Sequence, residues 1–291
     1  AVRSFNRTVT RRMGVLSDHY LDCERPLGEA RVLWEIGEAG CDVRVLRGRL
    51  GLDSGYLSRL LRSLESAELV KLAVGEKDKR VRTARLTKRG RAELRVLGRR
   101  SDALARSVLS PLSPAQQQRL VTAMAEVERL LTAAMVEIGE VDPDCPHARH
   151  CLAAYYRELD DRFAAGFDPT VGEAVEPKEM RPPAGLFLLA TLQDRPVGCG
   201  VLRFHDDRST EIKRLWVDSQ VRGLGVGWRL LDDLEARAAS HGSRSVCLDT
   251  NQSLDEAIAM YRRAGYREVA AFNNNPYADY WFEKHFDRPN K

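Results

Sequence analysis

The chain has no run of about 18 apolar residues, the length a helix needs to cross a bilayer, so nothing in it reads as a membrane span. Its opening, AVRSFNRTVT, lacks the apolar core of a secretory signal, and a cytoplasmic protein with no membrane partner is expected. Cysteine is sparse. The six residues follow no framework spacing, which argues for reduced thiols and against a disulfide scaffold. Long repeats and low-complexity tracts are missing, which excludes a solenoid. The Lys-Ser/Thr pair of a P-loop is also missing, which excludes nucleoside triphosphate binding through that motif.

Acidic charge is scarce in the first half. Residues 1–138 carry a net +9 and residues 139–291 a net −5, within a total of +4 over 291 residues. A length of this size suits two domains, and the asymmetry points to a polyanion met by the first half alone.

The densest signal lies at residues 211–227, EIKRLWVDSQVRGLGVG. A strand-like run ends at Val217, a polar turn follows, and Gly223, Gly225 and Gly227 lead into a segment whose Val226, Leu230, Leu231, Leu234 and Ala238 share one helical stripe. Backbone amides can converge there with a helix dipole behind them, a geometry that binds a pyrophosphate. A dinucleotide-binding turn fits less well. Leu230 replaces the third glycine, five residues separate strand from glycines, and the strand carries Glu211, Lys213 and Arg214 where a Rossmann strand is apolar.

Arg222, Gly225 and Gly227 occupy the Arg/Gln-x-x-Gly-x-Gly/Ala signature of the GCN5-related N-acetyltransferase (GNAT) superfamily, which this half resembles. Downstream come a strand SVCLDT, a helix holding AIAMYRRAGY and a closing strand, and upstream a two-strand meander, FLLATL and PVGCGVLRF. The resemblance implies an α/β GNAT fold with a mixed, splayed central sheet, acetyl-CoA as cofactor and a small-molecule amine as substrate. It implies backbone contacts to the cofactor from Leu215, Trp216, Val217, Arg222, Gly223, Leu224, Gly225, Val226 and Gly227. Tyr261 matches the family's general acid, and Glu211 stands where several members carry a catalytic base, with Asp249 as the alternative. The pattern departs at Leu254, where the family often has an Asn on coenzyme A, and Asn251 is the expected substitute.

In the first half, residues 27–38 and 42–50 read as short helices. Gly51 and Asp53 then close one helix and cap the next, from Ser54 to about Glu65. Leu57, Leu60, Leu61 and Leu64 form its apolar stripe, leaving Ser54, Tyr56, Ser58, Arg59 and Arg62 outward, a helix-turn-helix pattern. Two β-like runs follow around GEKDKRVR, a wing whose Lys77, Lys79, Arg80 and Arg82 suit a minor groove and phosphates. Asp78-Lys79-Arg80 and Arg85-Leu86-Thr87 reproduce the wing pattern of the multiple antibiotic resistance regulator (MarR) family, which residues 1–135 resemble. The resemblance implies a mainly-α winged helix-turn-helix domain and a homodimer on a palindromic double-stranded DNA operator. Its terminal helices, about 88–109 and 114–135, would make the dimer, and the seam Leu120, Met124, Val127, Leu131, Ala134 wants a partner helix.

Cys145, His147, His150 and Cys151 in CPHARHC have the residue types for zinc, but the spacing is compressed, and no metal is expected. Cys23 reads as an idle thiol before it reads as a redox sensor. The tail AAFNNNPYADYWFEKHF and the aromatic residues Phe163 and Phe167 are expected near the acceptor site, through Tyr277 and Tyr280. The sequence therefore reads as a fusion, residues 1–135 a MarR-like regulator and 136–291 a GNAT acetyltransferase. The alternative is a regulator whose GNAT-like domain only senses an acyl-CoA or a metabolite, and a protein-lysine acceptor is a third possibility.

Overall fold

The structure, a computed structural model, describes residues 1–14, 21, 25–74, 82–171, 175–205 and 209–286. It divides into two compact units, Ala1–Glu126 and Val127–Lys291. Among the described residues no helix is long and apolar enough to cross a membrane.

The first unit runs α1 (Val2–Arg12), α2 (Leu27–Ile36), β1 (Cys41–Asp42), α3 (Val43–Leu50), α4 (Ser54–Ser66), β2 (Val70–Val74), β3 (Arg82–Leu86) and α5 (Lys88–Leu109). Asp42 caps α3 by accepting from the Arg44 amide at 2.7 Å, and Asp53 caps α4 through the Tyr56 amide at 2.9 Å. Gly51, at φ +61°, ends α3 in the left-handed conformation that Gly adopts readily. The expected stripe Leu57, Leu60, Leu61, Leu64 is buried, packed in one core with Val32, Leu33, Ile36 and Leu46. Strands β2 and β3 form the wing, with β1 beside β3. Thr87 joins the wing to α5: its hydroxyl accepts from the Gly90 amide at 3.0 Å and donates to the Glu68 carbonyl at 2.6 Å. A Cβ at Gly90 would sit 2.0 Å from the Leu69 carbonyl, so only glycine lets α5 approach so closely. Lys77, Asp78, Lys79 and Arg80 lie outside the described residues.

Helix α6 (Pro114–Ala134) carries the chain across the division between the units. None of its residues is buried, and Met124 and Leu131 of the expected seam are 39% and 61% exposed. Leu120 and Val127 are half-buried, so the seam is only partly covered among the described residues.

The second unit contains β4 (Val136–Glu140), α7 (Pro146–Arg162), β5 (Gly185–Leu192), β6 (Arg195–Phe204), β7 (Ser209–Val217), α8 (Val226–His241), β8 (Ser245–Thr250), α9 (Asp255–Arg263), β9 (Arg267–Val269) and β10 (Tyr280–His285). The sheet order is β4-β5-β6-β7-β8-β10-β9, antiparallel except for β7–β8. Gln193 and Asp194 both have positive φ (52° and 62°), the geometry of a two-residue type I′ hairpin whose twist matches its strands. Strand β5 is buried on both faces. Leu186, Leu188 and Ala190 join the core under α8, while Phe187 and Leu189 join the core under α7. The five stripe residues of α8 are at most 1% exposed, and burial of each large aliphatic one contributes about 1.5–3 kcal/mol. Helix α7 starts at Pro146, where the Cys145 Sγ caps it by accepting from the Ala148 amide.

Candidate functional site

Strands β7 and β8 pair only over Ser209–Glu211 and Ser245–Cys247, and beyond that they separate. Opposite Gly200, strand β7 carries one residue too many: Val201 pairs with Lys213 and Cys199 with Trp216, so Arg214 and Leu215 form a bulge. Arg214 takes φ +55°, a conformation that costs a side-chain-bearing residue about 1–2 kcal/mol. The bulge reverses the alternation of side chains along the strand. Ile212 packs in the core under α8, yet Trp216, four residues on, packs in the core under α7.

The splay opens a cleft of about 500 Å³, within the size range of ligand sites. Its floor is the bulged end of β7, Leu215, Trp216 and Val217. One wall is the glycine turn, and the other is α9 with Ala257, Met260 and Tyr261. Gly223 and Gly225 sit at φ +77° and +79°, which turns the chain tightly into α8. A Cβ on Gly225 would meet nothing within 4 Å, whereas one on Gly227 would reach 3.4 Å from the Met260 sulfur and narrow the cleft. The amides of Val226, Gly227 and Trp228 find no acceptor among the described residues, and the positive end of α8 stands behind them. A glycine cradle with unsatisfied amides at a helix N-terminus fits a phosphate-bearing cofactor.

Residues 152–266 match the acetyltransferase (GNAT) family, and residues 25–81 match the MarR family. The chain is a fusion of a MarR-type region with a GNAT-type domain. Among curated relatives, an IAA acetyltransferase from Azospirillum brasilense is 32% identical over 30% of this chain and 57% of its own length. The N-acetylaspartate synthetase of Homo sapiens is 32% identical over 33% of this chain and 32% of its own length. The chain thus spans about half the first relative and a third of the second. A GNAT-family acetyltransferase structure from Staphylococcus aureus Mu50 aligns with a TM-score of 0.44 at 19% identity, covering 52% of this chain and 98% of that one. The expected family and two-part fold class are borne out.

A second cleft of the GNAT domain shares Tyr155, Leu159, Leu215, Leu254, Ala257 and Tyr261 with the first. Tyr261 therefore stands where the two clefts meet. Burial, and after it the charge of Asp249, pushes its phenol up from the ordinary tyrosine value, so the hydroxyl keeps its proton. The deeper wall carries Asp249, whose carboxylate accepts from Lys213 Nζ at 2.9 Å and Asn275 Nδ2 at 2.6 Å. Lys213 is shared, with Glu211 Oε1 2.7 Å away on its other side. Burial alone would raise Glu211, but His205 at 3.7 Å and the Lys213 ammonium outweigh it and leave the carboxyl lowered. Burial likewise opposes the charge on Lys213, and Glu211 and Asp249 together overturn that and raise it.

The structure distributes the expected site residues unevenly. Leu215, Trp216, Val217, Arg222, Gly223, Gly225, Val226 and Gly227 all line the first cleft. Leu224 does not line it and packs instead against the core under α8. Asn251 lines only the second cleft, its amide engaged with the Tyr277 carbonyl at 2.8 Å and the Ser253 amide at 2.9 Å. Glu211 lines neither. It faces a third hollow with Arg203, His205 and Asn273, and the carboxylate present beside Tyr261 is Asp249. The Arg222 guanidinium turns back onto Glu158 at 2.6 Å and the Val217 carbonyl at 3.0 Å. It braces the glycine turn against α7. Of the tail residues, Tyr277 lines the second cleft with Phe163 and Phe167, whereas Tyr280 packs beside Phe282. Sequence reasoning missed Tyr155, Tyr156 and Arg214. The two tyrosines had no motif to mark them, and Arg214 depends on a bulge that no glycine signals.

In the MarR region, Ser54, Tyr56, Ser58, Arg59 and Arg62 are all exposed on α4, as expected. The Arg59 guanidinium lies 5.6 Å from the Tyr56 ring centroid, and Arg62 Nε donates to the Ser58 carbonyl at 3.2 Å. Arg82, at the base of the wing, is exposed too.

Proposed function

We propose that the GNAT domain is an N-acyltransferase that uses acetyl-CoA to acetylate a small-molecule amine. In the same reading, the MarR region binds a palindromic duplex operator as a homodimer. The observation that carries the enzymatic half is the meeting of two clefts at Tyr261, one lined by a phosphate-suited glycine cradle and the other by a carboxylate. Relatives bearing the names IAA acetyltransferase and N-acetylaspartate synthetase support acyl transfer as the reaction class.

The residues of the first cleft would hold acetyl-CoA, with the glycine-turn amides on its diphosphate and the bulged backbone at Leu215–Val217 beside its pantetheine arm. When bound, it supplies an activated acyl carbonyl, at which the acceptor nitrogen forms a C–N bond as the C–S bond breaks. An ammonium acceptor must first lose a proton. Asp249 is the carboxylate that faces the acceptor, directly or through one water, and Glu211 acts on it only through the shared Lys213. Tyr261 presents an O–H at the junction. Complete transfer from a phenol of pKa about 10 or more to a thiolate of pKa about 8.5 is uphill by at least about 2 kcal/mol, so Tyr261 serves foremost as a hydrogen-bond donor to the developing charge.

For the MarR region, the exposed face of α4 supports insertion into a major groove, and the basic wing supports contact with the minor groove and phosphates. The open stripe of α6 supports pairing with a second copy.

A second reading, a non-catalytic sensor of acyl-CoA or a metabolite, draws on the capture of both Glu211 and Asp249 by Lys213. Thiol release from acetyl-CoA with a panel of amines separates the two. Turnover with at least one amine is expected, and tight acetyl-CoA binding without turnover on any acceptor would establish the sensor.

A further inference from the structure

The walls of the second cleft carry more chemistry than acyl transfer requires, and this inference rests on the acyltransferase reading above. Four rings form one side. Phe167 and Tyr277 have centroids 4.8 Å apart, Phe163 lies 5.8 Å from each, and Tyr156 stacks on Phe167 at 5.8 Å. The segment that supplies Phe167 is held in place before any ligand arrives. Its amide donates to Asp160 at 3.0 Å, and the next amide, of Asp168, donates to the Tyr277 hydroxyl at 3.0 Å. A preorganised aromatic wall binds a flat apolar group with little ordering cost.

Beside the rings the cleft carries three charged groups: Asp249, its ion-pair partner Lys213, and Arg214. Asp249 lines the cleft together with Tyr261. Arg214 also lines the cleft, brought there by the bulge in β7. Among the described residues, the hydrogen bonds of its guanidinium all leave from Nη1, to the Val175 carbonyl at 3.2 Å and the Met180 sulfur at 3.5 Å. The plane of the guanidinium is steadied by the Tyr156 ring, 5.5 Å from its carbon. A guanidinium has five N–H groups in a fork that matches a carboxylate. A plain arylalkylamine would use the rings but bring no counter-charge to the Arg214 cation. An amino acid brings both a ring and a carboxylate.

We propose that the acceptor is an α-amino acid with an aromatic side chain. The ring lies against Phe163, Phe167 and Tyr277, the carboxylate meets Arg214, and the amino group points towards Asp249 and the junction at Tyr261. The products are the N-acetyl amino acid and coenzyme A as the free thiol: of the two protons the nitrogen loses, one passes to the Asp249 carboxylate and on to solvent, and the other ends on the departing sulfur.

The test uses the full chain. Calorimetry first establishes coenzyme A binding, and L-phenylalanine, phenethylamine and L-alanine are then titrated into the saturated protein. L-phenylalanine is expected to bind at least about tenfold more tightly than either of the others, since each of them lacks one of the two recognised groups. Arg214→Gln should lower L-phenylalanine affinity about tenfold and leave phenethylamine unchanged, with Arg214→Lys intermediate. Phe167→Ala should erase the preference over L-alanine. Unchanged coenzyme A affinity in each variant verifies that the fold is intact, and the wild-type comparison needs no variant at all. Phenethylamine binding as tightly as L-phenylalanine, or no binding by any of the three, would overturn the assignment. Absence of coenzyme A binding would instead remove the acyltransferase reading beneath it.

Discussion

Arg129, in the last turns of α6, donates from Nη1 to the carbonyl of Gly223 at 2.7 Å, so a helix outside the sheet holds the glycine turn at the mouth of the cofactor cleft. Arg229, in the first turn of α8, reciprocates by donating to the carbonyls of Ala133 and Val136, each at 2.7 Å. The free Ala133 carbonyl at the end of α6 and that of Val136 at the start of β4 are thereby satisfied by the helix that the glycine turn begins.

Arg129→Ala should therefore loosen the turn and weaken acetyl-CoA binding about five- to tenfold, the net worth of one typical hydrogen bond. Calorimetry on the variant checks this, and an unchanged dissociation constant would leave the Arg129 contact without a role in the site.

Tyr261→Phe removes only the hydroxyl at the junction of the two clefts. Turnover should fall about 10- to 100-fold while acetyl-CoA affinity shifts by less than about threefold. Steady-state thiol release together with binding measurements decides it. Equal losses in both would make Tyr261 a packing residue.

The Glu211–Lys213–Asp249 cluster predicts a pH signature. Because the Glu211 carboxyl is lowered, its stabilisation is complete above the ordinary carboxylate pKa of about 4.3 and is lost as pH falls through the lower folded-state value. Lys213 is raised, so its contribution holds below its ordinary value of about 10.4 and is lost as pH climbs through the higher one. Glu211→Gln should cost about 1–3 kcal/mol at neutral pH and flatten the acid limb of a thermal-stability profile. An acid limb as steep as that of the wild type would assign it to other carboxylates.

Arg59→Ala, on the exposed face of α4, should weaken operator binding about tenfold and leave acetyl-CoA affinity untouched. Gel shifts at several salt concentrations read both the loss and the phosphate contribution. An unaltered shift would take Arg59 out of the interface.

Much of this was legible in the chain because local signals agreed with tertiary ones. The apolar stripes of α4 and α8 stand at helical spacing, and the same residues are the buried ones. Asp53 capping α4 follows from side-chain chemistry that acts within a few residues. The acceptor side was less legible. Strand periodicity assumes an unbroken alternation, and the bulge at Arg214 breaks it, so the orientation of Glu211 relative to Tyr261 could not be counted along β7. Tyr155 and Tyr156 line the same cleft as Tyr277 from more than a hundred positions away, and no short-range pattern records that convergence. Asn251 looked like a cofactor contact by residue type, but its amide is consumed in holding the turn after β8.

The early parting of β7 from β8 has a mechanical side. Past Glu211 and Cys247 the two blocks of the sheet are unzipped, and a long, flat molecule laid in the gap would stand in for the missing strand. Occupancy at a hundred times the dissociation constant would add about 2.7 kcal/mol to global stability. The same occupancy should slow hydrogen exchange along both lips of the gap, so the protein's rigidity would report how full it is.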